Sequence, residues 1–196
     1  MHKRLVIAVA AVVLFLFALP TAAESHDLSI PKLLVAKRHL AGAWKETIVS
    51  ASPANELHVG FILNQPTTRQ LGSLFPSHEP SHKVISPVYF GGPKGMRSLF
   101  AVTHAPVSPG PGSFELTKGL FMARNNRVID KIIEERNDDA RYFAGLVIWG
   151  AGELEEEIRR GFWHVLEERP ALFFAKEPMT LWERLIDEIE VKNRTF

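Results

Sequence analysis

Two polar residues interrupt otherwise apolar segments, and their side chains could take part in binding or proton transfer. Asn64 ends the segment HVGFIL before a Gln-Pro pair, and His104 ends LFAVT before an Ala-Pro pair. An amide donates and accepts hydrogen bonds, and an imidazole can act as a general acid or base. An Asn before a turn also commonly bonds to the loop backbone. A place in a binding site and the support of a loop are both open for each residue.

A second group of candidate residues lies where an apolar strand runs into an acid-rich helix. Trp149, Gly150 and Gly152 lead into a segment that begins with Glu153 and includes Glu156. Backbone amides at the start of a helix attract anions, but carboxylates in the first turn would repel them. The segment predicts either a site for a cationic or neutral polar ligand, or a close strand-helix junction in which glycine lets the backbones approach.

Other kinds of chemistry find less support. The chain has no Cys, and no Ser lies in the strand-turn-helix setting of a hydrolase nucleophile. His78 and His82 are separated by a proline and have no third nitrogen ligand nearby, so we expect no metal site. Gly91 and Gly92 lack the spacing of a phosphate-binding loop and favour a tight turn. We therefore expect no cofactor.

The first 23 residues have the layout of a secretory signal peptide. Lys3 and Arg4 precede an unbroken apolar run over residues 5–19, and small residues end at Ala23. That run is shorter than the roughly 20 residues that a membrane-spanning helix needs. We expect cleavage after Ala23 and a periplasmic or secreted protein with no stable membrane span. An uncleaved signal anchor is the alternative.

Residues 24–196 are predicted to form one domain. The chain has 196 residues, of which 46% are hydrophobic, and a chain of this size can bury a sizeable core. From Glu24 onward it has 21 basic and 22 acidic residues. A nucleic-acid-binding protein normally has a basic surplus or stripe. The composition therefore disfavours a nucleic-acid partner.

Strands and helices are predicted to mix without strict alternation, which favours the α+β class. Apolar faces and charge patterns predict three helices, at residues 128–136, 152–163 and 180–189. Short apolar or alternating segments predict strands, at residues 33–36, 47–49, 58–63, 88–90, 99–103, 120–122, 143–149 and 172–174. Turn residues predict loops at 76–83 and 105–113 and a turn at 52–53.

Four segments, in this order, resemble the YqgE/AlgH family of bacterial proteins. They are LLVA at 33–36, GFILNQP at 60–66, VYFGGP at 88–93 and WGAGELEEE at 149–157. The resemblance implies a single α+β domain whose mixed, bifurcated sheet forms a pseudo-barrel, which the three predicted helices would flank. It implies no established enzyme activity or cofactor. Some members of the family have been put forward as transcriptional regulators.

The sequence departs from the family at several positions. Gln65 stands where an Arg is usual, and Ala151 and Glu153 stand where Pro and Gln are usual. The usual Asp-Pro turn after the first strand is missing, and most relatives look cytosolic. A function of the shared surface could therefore be altered in this branch.

We predict first a non-catalytic accessory or binding protein of the cell envelope, with an envelope protein or a small ligand as its partner. One alternative is a hydrolase that uses Asn64, His104 and Glu153 together, and another is a transcriptional regulator. The candidate ligand or partner site combines the two strand-end residues with the family segments: Asn64, Pro66, Gly91, Gly92, His104, Trp149, Gly150, Gly152, Glu153 and Glu156.

Overall fold

The computed structural model describes residues 26–194, so the predicted signal peptide lies outside the described residues. The strands in this range are β1 (Lys32–Ala36), β2 (Ile48–Ala54), β3 (Leu57–Ile62), β4 (Pro66–Gln70), β5 (Pro87–Phe90), β6 (Lys94–His104), β7 (Ser113–Thr117), β8 (Leu120–Ala123), β9 (Ala140–Trp149) and β10 (Trp163–Glu167). The helices are α1 (Leu71–Leu74), α2 (Glu79–His82), α3 (Asn126–Glu135), α4 (Glu153–Arg159) and α5 (Leu181–Arg194). None of these helices, within residues 26–194, is both long and apolar enough to cross a membrane.

Strand β9 is the point at which the sheet branches. One edge of β9 pairs with antiparallel β6, and the other edge pairs first with parallel β5 and then with antiparallel β3. The main strand order is β10-β1-β2-β3-β9-β6-β8-β7, and β4 joins through β5. The prediction of a single α+β domain with a mixed, bifurcated sheet is confirmed, and the sheet curls into a half-barrel.

The inner face of the half-barrel packs against α5. Phe61 and Phe143 point inward and belong to one apolar cluster with Leu185 and Ile186 of this helix. The indole N–H of Trp182 donates a hydrogen bond of 2.8 Å to the carbonyl of Ala36 in β1. Helix α5 therefore closes the inner face through apolar burial, the dominant favourable term in folding, and is fixed in place by a buried hydrogen bond.

The outer face of the sheet is covered at two places. Ile129 and Ile132 of α3 pack with Tyr142, and Leu154 of α4 packs with Trp149. Because successive residues of a strand face opposite sides, Tyr142 lies in the outer cluster under α3 whereas Phe143 lies inside. Strand β9 thus contributes apolar side chains to both faces of the sheet.

The three predicted helices are confirmed as α3, α4 and α5, but the predicted end of one helix and one predicted strand are wrong. Helix α4 ends at Arg159 rather than at residue 163, since Gly161 takes a left-handed φ of 76° and Trp163 begins β10. The predicted strand at 172–174 is a 3₁₀ turn over Pro170–Phe174, in which Phe173 reaches into the inner cluster.

Two loop predictions are also wrong. Strand β2 continues through Pro53, and the chain turns instead at Asn55, whose φ is 57°. The predicted loop at 76–83 contains α2. Pro80 is tolerated there because it lies in the first turn, where a backbone N–H would have no partner within the helix.

Candidate functional site

Both polar atoms of the Asn64 side chain hold the backbone at the start of β2. Its Oδ1 accepts the amide N–H of Ile48 at 2.9 Å, and its Nδ2 donates to the carbonyl of Glu46 at 2.8 Å. Asn64 is buried, and Pro66 opens β4 opposite Tyr89. The structure places these two predicted site residues where they shape a loop and a strand edge.

Gly91 and Gly92 lie where β5 ends against the bend of β9. A Cβ atom on Gly91 would lie 2.2 Å from the carbonyl oxygen of Gly145, and one on Gly92 would lie 2.4 Å from the carbonyl carbon of Leu146. The amide of Gly91 donates to Ala144, and its carbonyl accepts from the amide of Ile62. These two glycines therefore allow three strands to meet at the branch point.

The residues from Trp149 to Glu153 form a tight junction between β9 and α4. The backbone N–H of Gly150 donates to the carboxylate of Glu153 at 2.7 Å, and Gly152 takes a left-handed φ of 77°. The indole N–H of Trp149 donates to Glu157 at 2.9 Å. These contacts fit the junction interpretation of the segment, since each polar side chain among them has a partner within the chain.

Glu156, the remaining predicted residue of that segment, is half-buried and pairs with Arg159 one turn along α4. It is close in sequence to Glu157 but does not share the indole contact. The pairing is an i, i+3 surface ion pair of the kind that helices commonly carry.

His104 lies at the opposite end of β9 from Glu153. Residue Thr103 pairs with Ala140 at the start of β9, whereas Glu153 follows Trp149 at its end. A strand of this length spans about 30 Å. His104 is exposed, and its ring lies 4.8 Å from the ring of Phe174. The structure does not bring together the three residues of the hydrolase alternative.

The two histidines of the loop around α2 bond within the chain. A ring nitrogen of His78 lies 2.7 Å from the hydroxyl of Ser81, and one of His82 lies 3.1 Å from the carbonyl of Pro76. Within residues 26–194, no group of three or more His, Cys, Asp or Glu side chains is placed to hold a metal ion.

A cleft that the sequence does not predict lies on the outer face, between β4 and the first half of β6. We call it the β4–β6 cleft. Its volume is about 640 Å³, within the range of small-molecule sites. The floor and walls combine apolar side chains with three hydroxyls and two guanidinium groups. The lining residues are Thr67, Thr68, Arg69, Leu74, Phe75, Val88, Phe90, Met96, Arg97, Ser98, Leu99 and Ala144.

The β4–β6 cleft is open because β6 separates from β9 before the two strands pair regularly. Lys94 pairs with Leu146 and Leu99 with Ala144, so four residues of β6 bulge outward between these pairs. Met96 in the bulge is 60% exposed, and Phe75 beyond α1 is 42% exposed. Large exposed apolar side chains beside one cleft are a recognised sign of a binding surface.

The charge of the β4–β6 cleft is positive. Arg69 and Arg97 line it, and none of the lining residues is acidic. Neither guanidinium group forms an ion pair or a hydrogen bond with any residue in the described range 26–194. Both arginines are exposed, so their donors are available to a ligand with a negative group.

A second, more polar cleft of about 540 Å³ lies beside the β9–α4 junction. Gly152 lines it, together with Asp27, Glu56 and Glu155. A ring nitrogen of His58 already lies 3.0 Å from the carbonyl of Leu28. The pKa of the exposed Asp27 carboxyl is lowered by hydrogen bonds from Ser29, of which the bond from the hydroxyl has the larger effect and the bond from the amide the smaller. Of the two clefts, this one contains a predicted site residue, and three acidic side chains line it.

The fold and the cleft define a single-domain α+β half-barrel with a basic, apolar-floored groove on its outer face. The sequence profile of the AlgH-like family matches residues 33–194, and the chain belongs to this family. The YqgE/AlgH resemblance of the four sequence segments is thereby confirmed.

Relatives and solved structures agree with this assignment. The chain is 26% identical over 168 residues to a UPF0301 protein of Chlorobium luteolum, covering 83% of this chain and 87% of the relative. It is 30% identical over 121 residues to a UPF0301 protein of Paraburkholderia phymatum, covering 59% of this chain and 63% of the relative.

Two solved structures share the fold. One, from Corynebacterium diphtheriae, has a TM-score of 0.68 at 21% identity and covers 83% of this chain and 87% of its own. The other, the AlgH protein from Pseudomonas aeruginosa, has a TM-score of 0.65 at 24% identity, with 80% and 85% covered. At these identities, the likeness concerns the fold alone.

Proposed function

We propose that this chain is a non-catalytic binding protein of the bacterial cell envelope that holds an anionic amphiphile in the β4–β6 cleft. The proposal rests on one combination: an apolar floor that carries two unpaired arginines and no carboxylate. Such a surface suits a small molecule with an acyl-type chain and one negatively charged head group. A hydrophobic body with few placed polar contacts is the usual composition of a ligand site.

The apolar part of the ligand would lie on Val88, Phe90 and Ala144, with Leu99 at the edge. Burying each methylene of a chain contributes about 0.8 kcal/mol. The exposed Phe75 and Met96 can fold over the chain, and Met is adaptable because its side chain is unbranched and flexible. The affinity would therefore come mainly from the chain.

The head group would lie at Arg69 and Arg97, whose guanidinium groups bind carboxylates and phosphates through paired donors. Because both arginines are exposed, each charge would contribute no more than about 1 kcal/mol. The charges would therefore select the sign of the head group rather than supply most of the affinity.

Two further observations support the proposal. The sequence of residues 1–23 predicts export, and the bacterial envelope is where acyl amphiphiles are plentiful. The polar groups of Asn64, Trp149 and Glu153 form hydrogen bonds within the chain. These bonds favour a structural role for the three residues over a catalytic one.

The test is a calorimetric titration with three probes of equal chain length: dodecanoate and dodecyltrimethylammonium below their critical micelle concentrations, and dodecanol below its solubility limit. We expect saturable binding of dodecanoate, weaker binding of dodecanol and the weakest binding of the cation. The double variant Arg69→Glu and Arg97→Glu should weaken dodecanoate binding at least tenfold, whereas Arg184→Glu, at an exposed position of α5, should leave it unchanged. Equal affinity for all three probes, or no saturation by dodecanoate, would overturn the proposal.

The envelope location is tested separately by fractionating the producing cells and sequencing the N-terminus of the recovered protein. A mature chain that begins at Glu24 in the soluble envelope fraction is the expected result. An intact N-terminus in the membrane would indicate the signal anchor instead. Full-length protein in the cytosol would contradict the envelope assignment and favour the regulator alternative.

A further inference from the structure

The inner face of the half-barrel contains an arginine without an acidic partner. Arg141 lies in β9 two residues before the inward-facing Phe143 and opposite Val102 of β6, which belongs to the same inner cluster. Alternation along the strand places Arg141 on the inner face. Only 9% of the residue is exposed, which is unusual for an arginine unless it is paired.

The guanidinium group of Arg141 has no hydrogen bond and no ion pair with any residue between 26 and 194. The guanidinium carbon lies 4.5 Å from the centre of the Tyr89 ring. Stacking of this kind uses the flat face of the group. The N–H donors, which point outward in the plane of the group, are left without acceptors.

Burying a cation without a hydrogen-bond acceptor costs hydration free energy, and stacking on one aromatic ring compensates for only part of that cost. Burial lowers the pKa of Arg141, and it raises the pKa of the adjacent Tyr89 hydroxyl. Both directions follow from the partial burial of the pair. An oxyanion bound at the guanidinium edge would compensate for that loss.

The guanidinium group lies close to the surface, because its nitrogens have no hydrogen-bond partner in residues 26–194 and yet are not completely buried. The pair lies toward the end of the half-barrel marked by His104, which is the next inward position of β6 after Val102. Arg136 also reaches this end and donates to the carbonyl of His104 at 3.4 Å.

Acidic residues near this end do not neutralise Arg141. Asp138 and Asp139 precede β9 in a 3₁₀ turn, and neither forms an ion pair with it. Arg136 is the other basic side chain that reaches this end, and Arg141 is left without a counter-charge in residues 26–194.

We propose that Arg141, backed by the ring of Tyr89, anchors a site for a small oxyanion, the carboxylate or phosphate group of a ligand, at this end of the half-barrel. The site lies on the inner face, whereas the β4–β6 cleft lies on the outer face, so it does not depend on the proposed function. A guanidinium edge offers two parallel donors, which match two oxygens of either group.

The test compares the urea unfolding midpoint of the full chain in rising phosphate or acetate, at constant ionic strength made up with sodium chloride. A ligand that binds only the folded state raises the midpoint saturably. We expect this for the wild type with at least one of the two ions, and the ion that acts identifies the class of head group. Arg141→Leu should weaken the effect at least tenfold, and Arg127→Leu, at an exposed position of α3, should leave it unchanged.

Arg141→Leu is expected to fold, because leucine suits an inward position beside Val102 and Phe143 and removes a buried charge. A direct readout is the Nε–Hε resonance of Arg141, which should shift on titration and saturate at the same concentration as the midpoint. Tyr89→Phe keeps the ring and tests whether the hydroxyl contributes. Equal stabilisation of Arg141→Leu and wild type, or a resonance that moves with neither ion, would overturn the site.

Discussion

The carboxylate of Glu157 accepts the indole N–H of Trp149 at 2.9 Å and so ties α4 to the end of β9. The same oxygen accepts the indole N–H of Trp163 at 2.8 Å. Both tryptophans are buried in the outer cluster under α4. One acid therefore satisfies two buried donors from two strands, which gives a structural reason for a Trp and a Glu eight residues apart in the family segment.

We predict that Glu157→Leu lowers the free energy of unfolding by about 2–4 kcal/mol, because it leaves two buried indole donors without an acceptor. Glu157→Gln keeps one acceptor oxygen and should cost about 1 kcal/mol. Urea unfolding followed by tryptophan fluorescence measures both the stability and the environment of the indoles. Glu156→Leu is the matched control, since its surface ion pair with Arg159 is worth no more than about 1 kcal/mol. Equal losses for the Glu156 and Glu157 variants would contradict the prediction.

The stability of the domain should also depend on Asn64, which bonds to the backbone on both sides of the start of β2. We predict that Asn64→Asp lowers the free energy of unfolding by about 2–3 kcal/mol at pH 7, because a carboxylate oxygen would then face the carbonyl of Glu46. The loss should shrink near pH 4, where a protonated Asp can again donate.

The control for this variant is Asn125→Asp, at the N-cap of α3. The side chain of Asn125 accepts the amide N–H of Arg127 at 3.0 Å, and Asp caps a helix about as well as Asn. Urea unfolding at pH 7 and pH 4 distinguishes the two positions. An Asn64→Asp protein that is as stable as wild type but binds dodecanoate more weakly would instead give Asn64 a role in binding.

Much of the fold could be predicted where the sequence pattern carried its own physical signal. Helix α3 was evident because Val128, Ile129, Ile132 and Ile133 form one face, and all four are buried. The prediction of a strand at 172–174 was wrong, because a short apolar run does not distinguish a strand from a buried turn. Strand β10 was missed because Phe162 extends the apolar spacing of α4 beyond its last turn.

The candidate sites were harder to predict because they depend on contacts between distant segments. The β4–β6 cleft takes its lining from five stretches between Thr67 and Ala144, and its opening depends on the bulge in β6. Arg141 lies within a mostly apolar strand, and the sequence does not reveal that its guanidinium group is buried without an acidic partner. The family segments, by contrast, were found easily, because glycines and tryptophans at fixed spacing are required by the close junctions that they form.

Glu168 follows β10, and its two carboxylate oxygens are sealed from solvent close to the Ser50 hydroxyl and the Arg169 amide. Burial raises the pKa of this carboxyl from its ordinary 4.5 to about 7, and the nearby Ser50 hydroxyl and Arg169 amide offset only part of the effect. The folded state therefore holds a proton that the unfolded state releases more easily. The resulting stability is fully present below about pH 4.5, falls as the pH rises, and is lost above about pH 7.

We predict that Glu168→Gln raises the free energy of unfolding at pH 8 by up to about 3 kcal/mol relative to wild type, because a neutral amide avoids the buried charge. At pH 4 the two proteins should be nearly equal, since Glu168 is then protonated in both states. Urea unfolding of both proteins at pH 4, 6 and 8 gives the difference directly, and the titration of all other groups cancels in it. Glu56→Gln, at an exposed position, should show no such pH dependence. A difference that stays constant from pH 4 to pH 8 would mean that Glu168 has the same pKa in the folded and unfolded states, and would contradict the prediction.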